Sequence, residues 1–422
     1  MTTVTALLKK PAKEYDVFLL LPRPTRVLLV TNMIYAFVLP VIEIFVGAYI
    51  MRSSNDPSIV AVYQLTVYTG IPLTFLINGF LLNRINISRL YSFGMLLSGL
   101  SMLLMMSLQD LSVIGVGVAG LLMGCSFGFF WANRDFLALN TTNDQSRNYY
   151  YGLETFFYTV TYIIVPLTVG AFLANADSKG WFGGHINIAY QLVTCVVFLL
   201  TILSSMVIHK EHFKKPELKK FLFFKFHSLW RKMLVLAGLK GLAQGYLVTA
   251  PAILIMRLVG NEGSLGLVQG ISGVATAILL YLLGRTTKPS DRIYIFIAGL
   301  TIFLIGALAN GILFSAVGVM VFVLCKVLFS PLHDIAYYPT QMRVIDIVSK
   351  IEKRNEFAYI FNHEFGLYIG RFIGLGLFII LATYVSEGFA LKYALIIIAI
   401  LQLASIPMAK HIIASCDKLD KA

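Results

Sequence analysis

The sequence predicts an all-α polytopic membrane protein of twelve transmembrane helices, arranged as two six-helix halves. Three observations carry that reading. Of 422 residues, 58% are hydrophobic and only 13% charged, more apolar surface than a water-soluble fold of this length can cover. The chain contains twelve apolar runs, each near the roughly 20 residues that a helix needs to cross a hydrocarbon core about 30 Å thick. The basic residues also alternate from loop to loop, as they do when one face of a membrane retains them.

The runs fall at 27–50, 59–82, 89–108, 111–137, 149–174, 186–208, 232–257, 264–284, 292–313, 315–338, 356–383 and 388–409. Residues 1–26 hold five basic side chains and no small-residue cleavage site, so they read as a cytoplasmic tail rather than a signal peptide. The first six spans occupy 27–208. The segment 209–231, HKEHFKKPELKKFLFFKFHSLWR, then divides the chain; its basic and aromatic side chains suit an anionic membrane surface. Six further spans fill 232–409, and 410–422 is a second tail.

Of the 34 Lys and Arg, only Arg52, Lys179, Arg257 and Lys392 fall in outward loops or at the outward ends of spans. Arg134, Lys240, Lys326 and Arg371 lie within spans, and every other one falls in a tail or an inward loop. This bias places both termini and the linker in the cytoplasm of a cell whose plasma (inner) membrane the chain spans. It also accounts for the net charge of +13 without a nucleic-acid partner. Cys125, Cys195, Cys325 and Cys416 form no CxxC pair, so neither a disulfide framework nor a zinc site is indicated. No phosphate loop or nucleophile elbow is present, and the chain reads as a non-enzyme with no cofactor and no resident metal.

The halves also resemble each other in detail. Late in span four stands Arg134-Asp135-FLAL-Asn140-Thr141, and late in span ten His333-Asp334-IAYY-Pro339-Thr340. Span five has Glu154-TFF-Tyr158 where span eleven has Glu364-FGL-Tyr368. Two ordered matches in corresponding spans point to duplication. This architecture resembles the major facilitator superfamily of secondary transporters over nearly the whole chain. The superfamily's G-x-x-x-D-R-x-G-R-R type signature has a partial match in Gly79-FLL-Asn83-Arg84-I-Asn86-I-Ser88-Arg89, where Asn83 replaces the acid and Asn86 a glycine. The second half keeps Gly284-Arg285-TT-Lys288 before Asp291-Arg292. The resemblance implies alternating access, with halves that rock about a central site, and no particular subfamily.

Ionisable residues inside spans are costly and mark pathways, couplings or gates. They separate here into two expected groups. Arg134, Asp135, His333 and Asp334, at the inner ends of spans four and ten, read as an inner gate with Arg84 and Arg285, or alternatively as a substrate or cation site. The deeper group reads as the working site. Glu364, Tyr368 and Arg371 share one face of span eleven, and Gly366, Gly370 and Gly374 form a small-residue stripe on another, suited to close helix packing. Gly120, Gly124 and Gly128 make a similar stripe in span four. Arg371, Lys326, Tyr368, Lys240, Gln244 and Tyr158 are the expected substrate ligands. Glu364, Glu154 and Glu43 are the expected proton-coupling acids, since a low-dielectric site ties a carboxyl's protonation to its neighbours. A purely packing role for these ion pairs is the competing view. Trp131 and Tyr149–Tyr151 are expected at the inner membrane interface.

The chain therefore reads as a monomeric secondary transporter that moves a small anionic or zwitterionic solute, coupled to protons. An exporter or flippase of amphipathic compounds or lipids is one alternative. A non-transporting membrane receptor or scaffold is the other. The topology has a direct check: with single cysteines at 179 and 219, a membrane-impermeant maleimide applied to intact cells should label 179 and spare 219. The reverse pattern refutes the orientation.

Overall fold

The computed structural model describes residues 18–108, 110–142, 144–209, 211, 213, 222–286, 289–354 and 357–419. Among the described residues every regular element is helical, and eleven helices are long and apolar enough to cross a membrane. The first predicted span is not one of them, because it is broken. Helix α1 (Arg23–Tyr35) ends in a turn, a π-helical segment follows at Val41–Phe45, and α2 (Val46–Ser54) completes the run. Pro40 is the cause: it has no N–H to donate and its ring collides with the carbonyl four residues back, and the chain absorbs the strain as a wide turn.

The remaining helices are α3 (Pro57–Leu81), α4 (Ile87–Ser107), α5 (Val113–Thr141), α6 (Asp144–Ser178), α7 (Ile186–His209), α8 (Ser228–Leu258), α9 (Glu262–Thr286), α10 (Arg292–Leu313), α11 (Ala316–Glu352), α12 (Phe357–Tyr384), α13 (Glu387–Gln402) and α14 (Ser405–Leu419). Two extend well past the predicted spans. Helix α11 continues beyond 338 because Val344, Ile345 and Val348 keep a helical apolar stripe, and Lys353 ends it in a left-handed cap. Helix α14 likewise runs past 409 to Leu419, tied to α11 by Arg343–Asp417 at 2.8 Å. Both extensions are amphipathic rather than uniformly apolar, so a search for membrane-length runs passes over them. Ser112 and Ser315 cap α5 and α11, each accepting from a glycine N–H three residues on. The cap is a further correspondence between spans four and ten.

Successive helices alternate in direction, so their ends gather on two faces. One face, beside the linker, holds Arg23 against Glu211 at 3.2 Å and the His227 amide against Glu352 at 2.7 Å. The opposite, far face holds Arg52, Asp177, Glu262, Arg257 and Glu387.

Glycine decides which helices meet backbone to backbone. A methyl on Gly370 of α12 would collide with the Gly238 carbonyl of α8, and one on Gly241 with the Leu367 carbonyl. The Gly366–Gly374 stripe therefore seats α12 on α8, and Gly120, Gly124 and Gly128 seat α5 on α3 in the same way. A third close contact joins helices from the two halves of the chain. Gly170 of α6 packs on the Glu262 carbonyl of α9, and Gly266 packs on the Pro166 carbonyl. Gly370→Ala should accordingly lower stability by about 1–3 kcal/mol, the cost of overpacking a tight contact. Gly376→Ala, which meets nothing within 4 Å, should be close to neutral. Thermal unfolding of the two detergent-purified variants checks the contrast.

Candidate functional site

The ionisable residues do not sort by depth as the sequence suggested. Arg134, expected in a gate, is bound by Glu154, expected at the coupling site. Its Nε donates to Glu154 Oε1 at 3.0 Å, and Nη2 makes a second, short contact with Oε2. Asn32 Nδ2 at 2.6 Å and the Tyr150 hydroxyl at 3.2 Å donate to the same carboxylate, and Tyr91 donates to Asn32. Asp135 reaches Arg134 from the exposed side at 2.8 Å. The guanidinium also lies 5.3, 5.8 and 5.9 Å from the ring centres of Trp131, Tyr151 and Tyr158. Trp131 and Tyr151, expected at the inner interface, both face this arginine; the side chain of Tyr149 lies outside the described residues.

A second cluster joins α8 to α11. Lys240 Nζ donates to Asp334 at 2.6 Å and sits over the rings of Tyr337 and Tyr338, at 4.3 and 3.9 Å. His333 Nδ1 approaches the same carboxylate at 3.5 Å. Tyr337 shares a 2.6 Å hydrogen bond with His363 Nε2. Here too an expected gate residue, Asp334, binds an expected ligand, Lys240. Arg84 is exposed at the linker face and makes no ion pair among the described residues. The side chain of Arg285 lies outside them.

Arg371 does not point freely into a cavity. Its Nε and Nη2 donate to Gln244 Oε1 at 3.2 and 2.9 Å, and its guanidinium covers Tyr68 at 4.7 Å. Glu364 Oε2 stands 3.6 Å away, beyond hydrogen-bond length. Tyr368 hydrogen-bonds Thr69 of α3 at 3.2 Å. Arg371 therefore orients Gln244, leaving that amide's N–H groups for other partners.

A cavity of about 370 Å³ lies between α6, α8, α9 and α11, walled by Tyr158, Tyr162, Gln269, Ser272, Thr276 and Lys326. Beside it is a smaller chamber of about 160 Å³, with Lys240, Gln244, His333, Asp334 and Gln402 in its wall. Lys326 and Ser330 line both. Lys326 has no ion-pair partner among the described residues. The opposite charge within electrostatic reach of Lys326 is Glu43, carried on the π-helical segment of the first span near Tyr162. Its carboxylate stays exposed although it lies in the middle of the bundle. Gln402 and His333 Nε2, both buried, have no hydrogen-bond partner. The sequence argument missed Tyr162, Gln269, Asn32 and Gln402, because single uncharged polar residues in an apolar run leave no pattern.

The hydrogen bonds and ion pairs that cross between helices α1–α7 and α8–α14 gather at the far face and mid-depth. Arg52 binds Glu262 at 2.9 Å and Asp177 at 2.7 Å; Tyr190 also donates to Glu262, at 2.8 Å. Arg257 reaches Asn55, and Thr69 reaches Tyr368. At the linker face, ion pairs among the described residues stay within each set. The far side is latched, and no ion pair bridges the linker side among the described residues.

This arrangement has close structural parallels. The crystal structure of the nucleoside transporter NupG superposes with a TM-score of 0.67 at 12% identity, over 93% of this chain and 99% of that one. A bacterial homologue of the iron transporter ferroportin, in an inward-facing state, gives 0.66 at 15% identity over 91% and 98%. A bacterial homologue of the human lysosomal transporter Spinster, inward-facing and unoccupied, gives 0.62 at 14% over 94% and 96%. The chain shares the fold of these solved structures. By sequence, the chain is similar to the uncharacterized protein YqgE of Bacillus subtilis, 20% identical over 88% of this chain and 86% of that one. A protein from the sodM 3′ region of Geobacillus stearothermophilus is 27% identical over 38% of this chain and 75% of its own length. No family model matches.

The Arg134–Glu154 geometry makes a stability prediction. Glu154 is 2% exposed, so Glu154→Gln should cost about 3–5 kcal/mol by leaving a buried arginine unanswered. Asp135→Asn, at an exposed position, should cost less than about 1 kcal/mol. Adding Arg134→Met to Glu154→Gln should recover much of the loss, as read by thermal melts of all three variants.

Proposed function

We propose that this chain is a secondary active transporter that carries a small anionic or zwitterionic solute through alternating access, coupled to protons. The reading assigns twelve spans as six plus six, 27–208 and 232–409, with the tails and the 209–231 linker in the cytoplasm. The single observation that carries it is Lys326: a cation with no ion-pair partner among the described residues, set in the wall of a cavity between the two sets of helices. An isolated charge at that depth is expensive, and a bound anion relieves the expense.

On this reading the structure is an inward-open state. The Arg52–Glu262–Asp177 latch closes the outer side, and the unbridged linker face opens to the cytoplasm. A latched outer side and an open inner side are what a carrier needs to release or collect cargo on one side only. Gln244, held by Arg371, offers its amide N–H groups at the boundary of the smaller chamber. Glu154 is already saturated with donors. Glu364, half-buried and 3.6 Å from Arg371, has fewer partners, and this supports it as the acid that exchanges a proton during the cycle.

In proteoliposomes with an inward proton gradient, a transported solute should accumulate. Glu364→Gln should abolish gradient-driven accumulation while leaving counterflow exchange intact. Lys326→Met should lower affinity at least tenfold with little change in melting temperature, since the lysine holds no ion pair. Arg371→Lys should lose part of the affinity, because a single ammonium cannot hold the Gln244 oxygen with two donors. A receptor or scaffold would bind solute without flux, and persistent accumulation in Glu364→Gln places coupling elsewhere.

A further inference from the structure

Lys326 lines the 370 Å³ cavity, and the opposite charge within its electrostatic reach, Glu43, comes from the other part of the chain, beside the cavity-lining Ile44. Glu43 belongs to the first span and Lys326 to α11. They lie close enough to influence one another yet make no ion pair, whereas Arg134, Lys240 and Arg52 are each held directly by a carboxylate. The backbone at Glu43 is itself unusual. The π-helical turn at Val41–Phe45 holds an exposed acid next to Ile44, which lines the cavity, and such wide turns recur at functional positions.

The wall between the two charges has the chemistry of a small solute site. Tyr158 and Tyr162 supply aromatic surface, while Gln269, Ser272 and Thr276 supply neutral hydrogen-bonding groups. A volume of about 370 Å³ is at the lower end for small-molecule sites. A purely anionic solute would answer Lys326 and be repelled by Glu43. A cationic solute would do the reverse. A molecule carrying both charges answers both at once, and the occupied site is then neutral overall, with each buried charge paired.

We propose that the cargo is a small zwitterion, an amino-acid-like compound whose ammonium group is bound by Glu43 beside Tyr162 and whose carboxylate is bound by Lys326. This narrows the anionic-or-zwitterionic reading above and rests on it. Both contacts are charge-assisted hydrogen bonds, the stronger kind. Because Glu43 and Lys326 sit on opposite sets of helices, the cargo spans the boundary between the moving parts, which lets its binding favour one arrangement of the halves over another.

The test uses the purified full-length protein and probes matched in shape but not in charge. Glycine, leucine, phenylalanine, β-alanine and γ-aminobutyrate would each be compared with its N-acetyl derivative, an anion, and its amide, a cation, by calorimetry or thermal shift. At least one zwitterion should bind ten or more times tighter than both of its derivatives. Glu43→Gln should erase its advantage over the N-acetyl anion, and Lys326→Gln its advantage over the amide, while both variants keep wild-type melting temperatures without ligand. If no zwitterion in the set binds, or if the derivatives bind as well, the zwitterion proposal is wrong. Lys326-dependent binding of the N-acetyl anions alone would overturn it while sustaining the broader anion-transport reading. Absence of any gradient-driven flux, measured separately, would bear on that broader reading instead.

Discussion

A charge placed inside a hydrocarbon slab must be answered by another group of the chain, and most of the interior polar architecture follows from that requirement. Arg134 is answered by Glu154 and by three aromatic faces. Lys240 is answered by Asp334 and two tyrosine rings. Arg371 is shared between the Gln244 amide and the face of Tyr68, with Glu364 further off. Arg52 is clamped by two carboxylates, one of them fully buried. Once these obligations are met, the opposed pair at Glu43 and Lys326 stands apart as one that does not close on itself. The same requirement explains why the far face is shut: Arg52 and Glu262 come from the two halves of the chain, and separating them would expose a buried carboxylate to lipid or water without its partner.

Lipid supplies no hydrophobic drive for helix pairing, so close backbone contact has to do that job. Glycine provides it at several places, three of them with different consequences. Helix α12 on α8 and helix α5 on α3 are fixed within their own part of the chain. Helix α6 on α9 joins the two parts, and its glycines lie toward the Arg52–Glu262 end. The firm seam between the parts thus runs from the latch toward mid-depth, and the linker end is left free of such contacts among the described residues.

Much of the fold was legible in the sequence. Apolar length located the spans, and the glycine stripes in spans four and eleven named helix faces that do pack on neighbours. The repeat of Asp135 and Asp334 in like positions was real at the level of sequence, yet their surroundings differ: Asp334 pairs with a lysine from another helix, whereas Asp135 reaches the arginine beside it. Depth along a helix, which sequence gives, proved a poor guide to partnership, which depends on how neighbouring helices are rotated. This is why Arg134 met Glu154 across the expected division between gate and site. Asn32 and Tyr91 were invisible for a related reason, since each is one polar residue in an apolar run and gains meaning only when neighbouring helices bring it to Glu154 and Tyr150. The broken first span was half visible, in that Pro40 marked the place but not the wide turn that replaced a simple kink.

That wide turn is a register insertion: one residue more than an ordinary helical turn holds, stored between Pro40 and Val46. Stored residues in a helix can migrate. Each residue of displacement turns the side chains beyond it by about 100° and advances them about 1.5 Å along the axis. Glu43 sits within the inserted turn, so the direction of its carboxylate is tied to where the insertion rests and not only to where the helix as a whole sits. A one-residue passage of the insertion would carry the acid out of line with Tyr162 and Lys326 without any helix crossing the bundle differently. The polarity of the central cavity is, in that sense, written in backbone register as much as in side-chain identity.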